Sequence, residues 1–123
     1  MSVELTLMVG RISDSLRRDG AFWFSPIVIL EMLAWPRDSA LHRLLPEDRD
    51  PPVFFFESDG NTRIGKDKYG TRLQATRLDR VIAALEQDCG DEMHWSLACL
   101  RELRKWAESL PSYWDVRAVM YYH

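Results

Sequence analysis

The sharpest chemical motif in this 123-residue chain is Gly60-Asn61-Thr62-Arg63-Ile64-Gly65-Lys66-Asp67. Its Gly-x-x-x-x-Gly-Lys spacing is that of a phosphate-binding loop, and a short apolar run precedes it. Two features oppose that chemistry. Asp67, an anion, stands where a Ser or Thr hydroxyl would hold magnesium. Lys68-Tyr69-Gly70-Thr71 then reads as a second turn, so no helix N-terminus aims its amides at a phosphate. The motif reads as two glycine turns in an irregular connection, and no cofactor is assigned to it.

The other chemical candidates have bland readings. His42, His94 and His123 form no His-x-x-x-His pair, and Cys89 with His94 spans an expected helix break, so no metal ligand is assigned. Glu57-Ser58-Asp59-Gly60-Asn61 lacks the order of a calcium loop and its closing Glu, and reads as a turn. Ser25, Ser58, Ser96, Cys89 and Cys99 lack a nucleophile signature. Glu47 and Asp50 are expected in a solvated loop where nothing would raise a carboxyl pKa. No catalytic residue is assigned.

One cluster stands out. Between residues 63 and 80 lie six basic side chains (Arg63, Lys66, Lys68, Arg72, Arg77, Arg80) and two acids (Asp67, Asp79), with Tyr69 among them. The whole chain carries a net charge of −3. A basic patch on an acidic chain is poorly explained by solubility, which either sign would serve. Arg63, Lys66, Lys68, Tyr69 and Arg72 are therefore the candidate partner-binding residues.

The elements that must position them follow from periodicity. Val3, Leu5, Leu7 and Val9 alternate with Glu4, Thr6 and Met8, predicting a half-buried strand over 3–9. Residues 10–20 read as a loop. Residues 21–30 read as a strand that Pro26 makes an edge or bends. A first helix is expected over 38–45, with Leu41, Leu44 and Leu45 on one face and Pro46 as its stop. The proline- and acid-rich stretch 46–52 is a surface loop. Residues 53–57 and 73–78 read as strands. A second helix is expected over 80–87, with Asp79 as N-cap and Gly90 as terminator. The third should be capped by Asp91 and bury Trp95, Cys99, Leu103, Trp106 and Leu110. A last strand over 116–122 alternates Val116, Ala118, Met120 and Tyr122 with Arg117, Val119 and Tyr121.

The expected architecture is one α+β domain over residues 1–123: a mainly antiparallel sheet with about three helices, in the order β-β-α-β-β-α-α-β. Apolar residues at 46% and charged residues at 28% suit a globular chain, and no run approaches a membrane span. Cys89 and Cys99 do not form a secreted disulfide framework and are expected as small core residues on different helices. The opening residues lack a basic and an apolar leader, so the chain is expected in the cytoplasm.

The string Tyr69-Gly70-Thr71-Arg72-Leu73, a helix closing on Leu110-Pro111, and the ending Val116-Arg117-Ala118-Val119-Met120-Tyr121-Tyr122-His123 resemble a group of small uncharacterised bacteriophage and prophage proteins. The opening Ser2-Val3-Glu4-Leu5-Thr6-Leu7 is similar too, whereas residues 10–59 match poorly. The resemblance implies a phage origin and a bacterial host cytoplasm, and it brings no catalytic residue. The expected function is that of a non-enzymatic phage or prophage accessory protein. It would bind a host or phage protein and modulate or inhibit a host (defence) protein. The alternative is a nucleic-acid-associated module using the basic stretch 63–80. No membrane partner is expected, and the sequence leaves the oligomeric state open.

Overall fold

The computed structural model describes every residue except Met1 and Asp48. The side chains of Ser2, Val3, Asp14, Ser15, Leu33 and Ala34 also lie outside the description, and with them the inward placement expected for Val3. Two long strands, β1 (Ser2–Arg18) and β2 (Ala21–Pro36), form an antiparallel hairpin. The loop expected over residues 10–20 is therefore mostly strand. Asp19 and Gly20 both take positive φ, 51° and 79°, which is the backbone a two-residue turn needs to match strand twist.

β2 carries one residue more than β1 between the pairs Val9↔Val28 and Gly10↔Pro26. This bulge, at Ile27, exchanges the two faces of β2. Val28, Leu30 and Met32 share one core with Leu5, Leu7 and Val9, whereas Phe22 and Phe24 join a second core with Met8 and Ile12. Pro26 sits at this irregularity, so it marks the bend that its ring chemistry calls for.

The chain continues through β3 (Val53–Phe56), β4 (Arg63–Ile64), β5 (Thr76–Arg77), α1 (Leu78–Cys89), α2 (Trp95–Glu108) and β6 (Asp115–Tyr122). The α+β class holds, but the expected order and helix count do not. The described residues form two helices, and the sheet, in order β4-β3-β2-β1-β6-β5, is mixed because β2 and β3 pair in parallel. The helix expected over 38–45 is a set of turns. Prolines at 36 and 46 leave nine residues between them, about two and a half turns, too short to offset the cost of nucleation. The free amides of Ala40 and Leu41 are taken instead by the Asp88 carboxylate of α1. The strand expected over 73–78 reduces to a bridge at Gln74 and the two-residue β5.

The sheet closes on itself. Val53 N–H donates to the Leu73 carbonyl and Ala75 N–H to that of Pro51, each at 3.0 Å. The same segment then pairs with β6 through Thr76↔Ala118. The ring encloses Met8, Phe24, Val53, Leu73, Ala75 and Val119. The first core lies between the sheet and the helices, joining Leu5, Leu7 and Ala118 to Val81, Ile82, Leu85, Leu97 and Leu100. β6 keeps its expected alternation, because Ala118, Met120 and Tyr122 face the helices while Val119 and Tyr121 face the ring.

Both helices differ from their expected detail. α1 starts at Leu78, with Arg77 rather than Asp79 at its N-cap; Gly90 terminates it as expected. α2 is capped by His94, whose ring accepts from the Ser96 amide, and not by Asp91. Its buried stripe is Ser96, Leu97 and Leu100, continued by Leu103 and Ala107; Trp95 is 53% and Trp106 36% exposed. Small residues at 96 and 107 let α2 approach, whereas the large aromatics point outward. Cys89 and Cys99 are free thiols packed against the core, one on each helix.

Candidate functional site

The glycine-lysine motif folds without a helix. Glu57 N–H donates to the Thr62 carbonyl, and Asp59 accepts from the amides of Asn61 and Thr62 and from the Thr62 hydroxyl. Those bonds hold its carboxyl below the usual range. Arg63 and Ile64 then pair with Phe56 and Phe55. Lys66 pairs with Arg72 across a tight turn whose anchor is Asp67. Its Oδ1 accepts from the Tyr69 and Thr71 amides, at 2.9 and 3.0 Å. Asp67 is 9% exposed, so the anion that spoils a magnesium site instead supplies the acceptors this turn needs. Lys68 N–H donates to the Tyr122 carbonyl and pins the turn to the end of β6.

This turn separates two concavities. On the ring side, a groove of about 960 Å³ is lined by Arg18, Arg63, Lys66 and Arg72, with Phe54 and Tyr121 as apolar wall. The hairpin tip organises it. Asp19 receives Arg63 at 2.6 Å, and its carbonyl receives Arg72 at 3.3 Å. Arg63, bonded to the Asp19 carboxylate, holds that carboxyl below its ordinary value. Four cations thus meet one acid in the groove. Arg63 also lies over the Phe54 ring, 5.4 Å from its centroid.

On the helix side, a cleft of about 410 Å³ is lined by Arg37, His42, Leu45, Tyr69, Arg72 and Tyr122, with Asp67 among its other walls. His42 stands edge-on to Tyr122, centroids 5.0 Å apart and planes at 86°. Burial, reinforced by the Asp67 and Asp88 carboxylates, pushes the Tyr122 hydroxyl up to about 12. Tyr69 is 63% exposed at the rim. Arg72 lines both concavities.

No protein-family model, curated protein or solved structure matches the chain. The site is therefore read from its own geometry. Arg63, Lys66 and Arg72 come together as the sequence cluster suggested, Tyr69 shares the cleft with Arg72, and Lys68 lines neither concavity. Arg77 and Arg80 belong elsewhere. Arg80 pairs with Glu47 at 2.9 Å and Asp50 at 3.3 Å, and Arg77 reaches Glu47 and Asp79. Arg18 and Arg37 join from segments 45 or more and 26 or more residues upstream of Arg63, so no local charge count includes them. The one local signal pointing to Arg18 is Asp19-Gly20, a hairpin dipeptide that places its neighbours at a tip. Among the described residues, no three His, Cys, Asp or Glu side chains converge as a metal site. Nor is any helix among the described residues long and apolar enough to cross a membrane.

Proposed function

We propose that the chain is a non-enzymatic binding protein, and that its working surface is the basic groove and turn built from Arg18, Arg63, Lys66, Lys68, Tyr69 and Arg72. The observation that carries this reading is the convergence of four cations around Phe54 and Tyr121, on a chain whose net charge is −3. Such a surface suits an acidic protein face: the cations steer its approach, and the aromatic rings supply desolvated contact area. Asp67, the one buried carboxylate of the turn, is committed to backbone amides and serves the shape of the surface. The resemblance to phage and prophage proteins supports a host or phage protein as the partner, in the cytoplasm of a bacterial host, with modulation of that partner as the outcome.

The test is capture from bacterial cells with and without phage infection, using the wild-type chain and the triple variant Lys66→Glu/Lys68→Glu/Arg72→Glu. Circular dichroism first establishes that the variant folds. A specific protein captured by the wild type and lost from the folded variant supports the proposal; an unchanged partner list overturns it. The second reading, nucleic-acid binding, rests on the same four cations. It wins if nucleic acid is what the variant loses and if binding falls steeply with added salt.

A further inference from the structure

The outer edge of β2 points to a second copy of this chain. β3 borders that edge only at Phe22 and Trp23. From Phe24 to Trp35, no strand, bridge or loop amide pairs with it among the described residues. In an antiparallel pair every second residue turns its N–H and C=O away from its partner, so residues 27–32 leave roughly three such sets facing outward. An open ladder of this kind is a template for another strand, and proteins that must stay apart guard it with lysines, prolines or bulges. Here the prolines stand only at the ends: Pro26 with the Ile27 bulge at one, Pro36 at the other, with a second irregularity between Met32 and Trp35. The run between them, Ile27-Val28-Ile29-Leu30-Glu31-Met32-Leu33-Ala34-Trp35, carries one charge and no lysine or arginine.

Exposed apolar side chains flank this edge on both faces. Ile29 pairs with Met8 and shares its face, turned from the helices, and is 58% exposed; Ile27 is 48% exposed. On the helix face, the His94 ring meets Trp35 edge-on at 5.2 Å, which sets Met93 and Trp95 beside the end of β2. Those two are 59% and 53% exposed. Strand pairing alone buries less than the ~800 Å² per partner of a standard interface. The two isoleucines on one face and Met93 with Trp95 on the other supply further apolar area.

We propose that two copies associate through an antiparallel β2–β2 pairing about a twofold axis near Ile29. Identical antiparallel edges are hydrogen-bond complementary by symmetry. An axis at Ile29 sets residue 27 opposite residue 31, so the two Glu31 residues stand about 14 Å apart along the strands, at ~3.4 Å per residue. The single charge of the edge then meets an isoleucine and not its own mate.

The test is analytical ultracentrifugation of the full chain from low to high micromolar concentration, with Ile29→Lys as the edge variant and Tyr113→Lys as the control. Tyr113 is an exposed aromatic outside β2. The expected result is a doubling of mass with concentration for the wild type and for Tyr113→Lys, and a monomer for Ile29→Lys. A wild type that stays monomeric, an edge variant that still dimerises, or growth beyond the dimer overturns the proposal. If Ile29→Lys does not fold, hydrogen exchange on the wild type decides. Amide protection within residues 27–32 should rise with protein concentration, and concentration-independent exchange overturns the pairing.

Discussion

Gly10 shows how one residue fixes the register of the central strands. A Cβ there would collide with the carbonyl oxygen of Ser25 and come within 2.9 Å of the Pro26 Cα. Both obstacles are backbone of the paired strand at the bulge, so neither can rotate away. Gly10→Ala should cost at least ~1–3 kcal/mol, the usual penalty for overpacking, read as a lower urea midpoint. Tyr122 makes a different prediction. Its hydroxyl ionises near 10 when unfolded and at about 12 in the folded chain, so the folded state holds the proton longer. Its contribution to stability is complete below pH 10 and is lost as pH rises from 10 towards 12. A tyrosinate absorbance titration should show a late component that Tyr122→Phe removes, and that variant should also flatten the loss of stability across this window. If every tyrosine titrates by pH 11, Tyr122 is not shielded as described. The tyrosine is easy to see in the sequence, but its surroundings are not: His42, Asp67 and Asp88 come from three separate segments.

Elements were legible where one face alone decides the pattern. The alternation of β6 and of Leu5, Leu7 and Val9, the proline bend in β2 and the glycine stop of α1 all follow from local chemistry. The hairpin tip is not legible as strand, because six of the eight residues over 11–18 are polar, which hides the period. The phase of α2 is hidden for a related reason: side-chain size does not track burial there. Trp95 and Trp106 form a stripe, but the seam against the core runs through smaller residues that permit close packing. This gives a ranked prediction. Leu100→Ala, at a fully buried site, should cost ~2–5 kcal/mol. Leu103→Ala, at a half-buried one, should cost less, and Trp106→Ala should stay within about 1 kcal/mol. Chemical denaturation of the three variants checks the order; a Trp106→Ala loss as large as that of Leu100→Ala would restore the aromatic stripe to the core. Deleting Met120–His123 should prevent soluble folding. It removes the pairs Leu5↔Tyr122, Thr6↔Tyr121 and Leu7↔Met120, together with the Lys68 anchor on the Tyr122 carbonyl.

At the scale of the molecule, the least legible feature is the charge network that holds the pieces together. Asp50 sits in a stretch that reads as solvated loop, yet its side chain is 1% exposed. It accepts from the Glu47 amide at 2.8 Å and from Arg80 of α1 at 3.3 Å, and its second oxygen faces Arg117 of β6 at 3.6 Å without a hydrogen bond. Three segments far apart in sequence therefore converge on one carboxylate, and no spacing rule could reveal it. The same loop carries Pro51 and Pro52, whose carbonyls accept from Ala75 and Phe22 and complete the closure of the sheet. Asp50 thus couples the ring to the helix layer. Removing it takes one of two counter-charges from each of two mostly buried guanidinium groups, Arg80 keeping Glu47 and Arg117 keeping Asp115, and leaves the Glu47 amide without its acceptor, a change that costs ~1–3 kcal/mol. Asp50→Ala should show a loss of that size. Asp50→Asn should lose less, because it keeps an acceptor for the Glu47 amide. The double variant Asp50→Ala/Arg80→Ala should cost less than the sum of its single variants, since each single change strands the partner of the other. Strict additivity in that cycle would mean that Asp50 and Arg80 act independently, and that the ring and the helix layer are coupled through apolar packing alone.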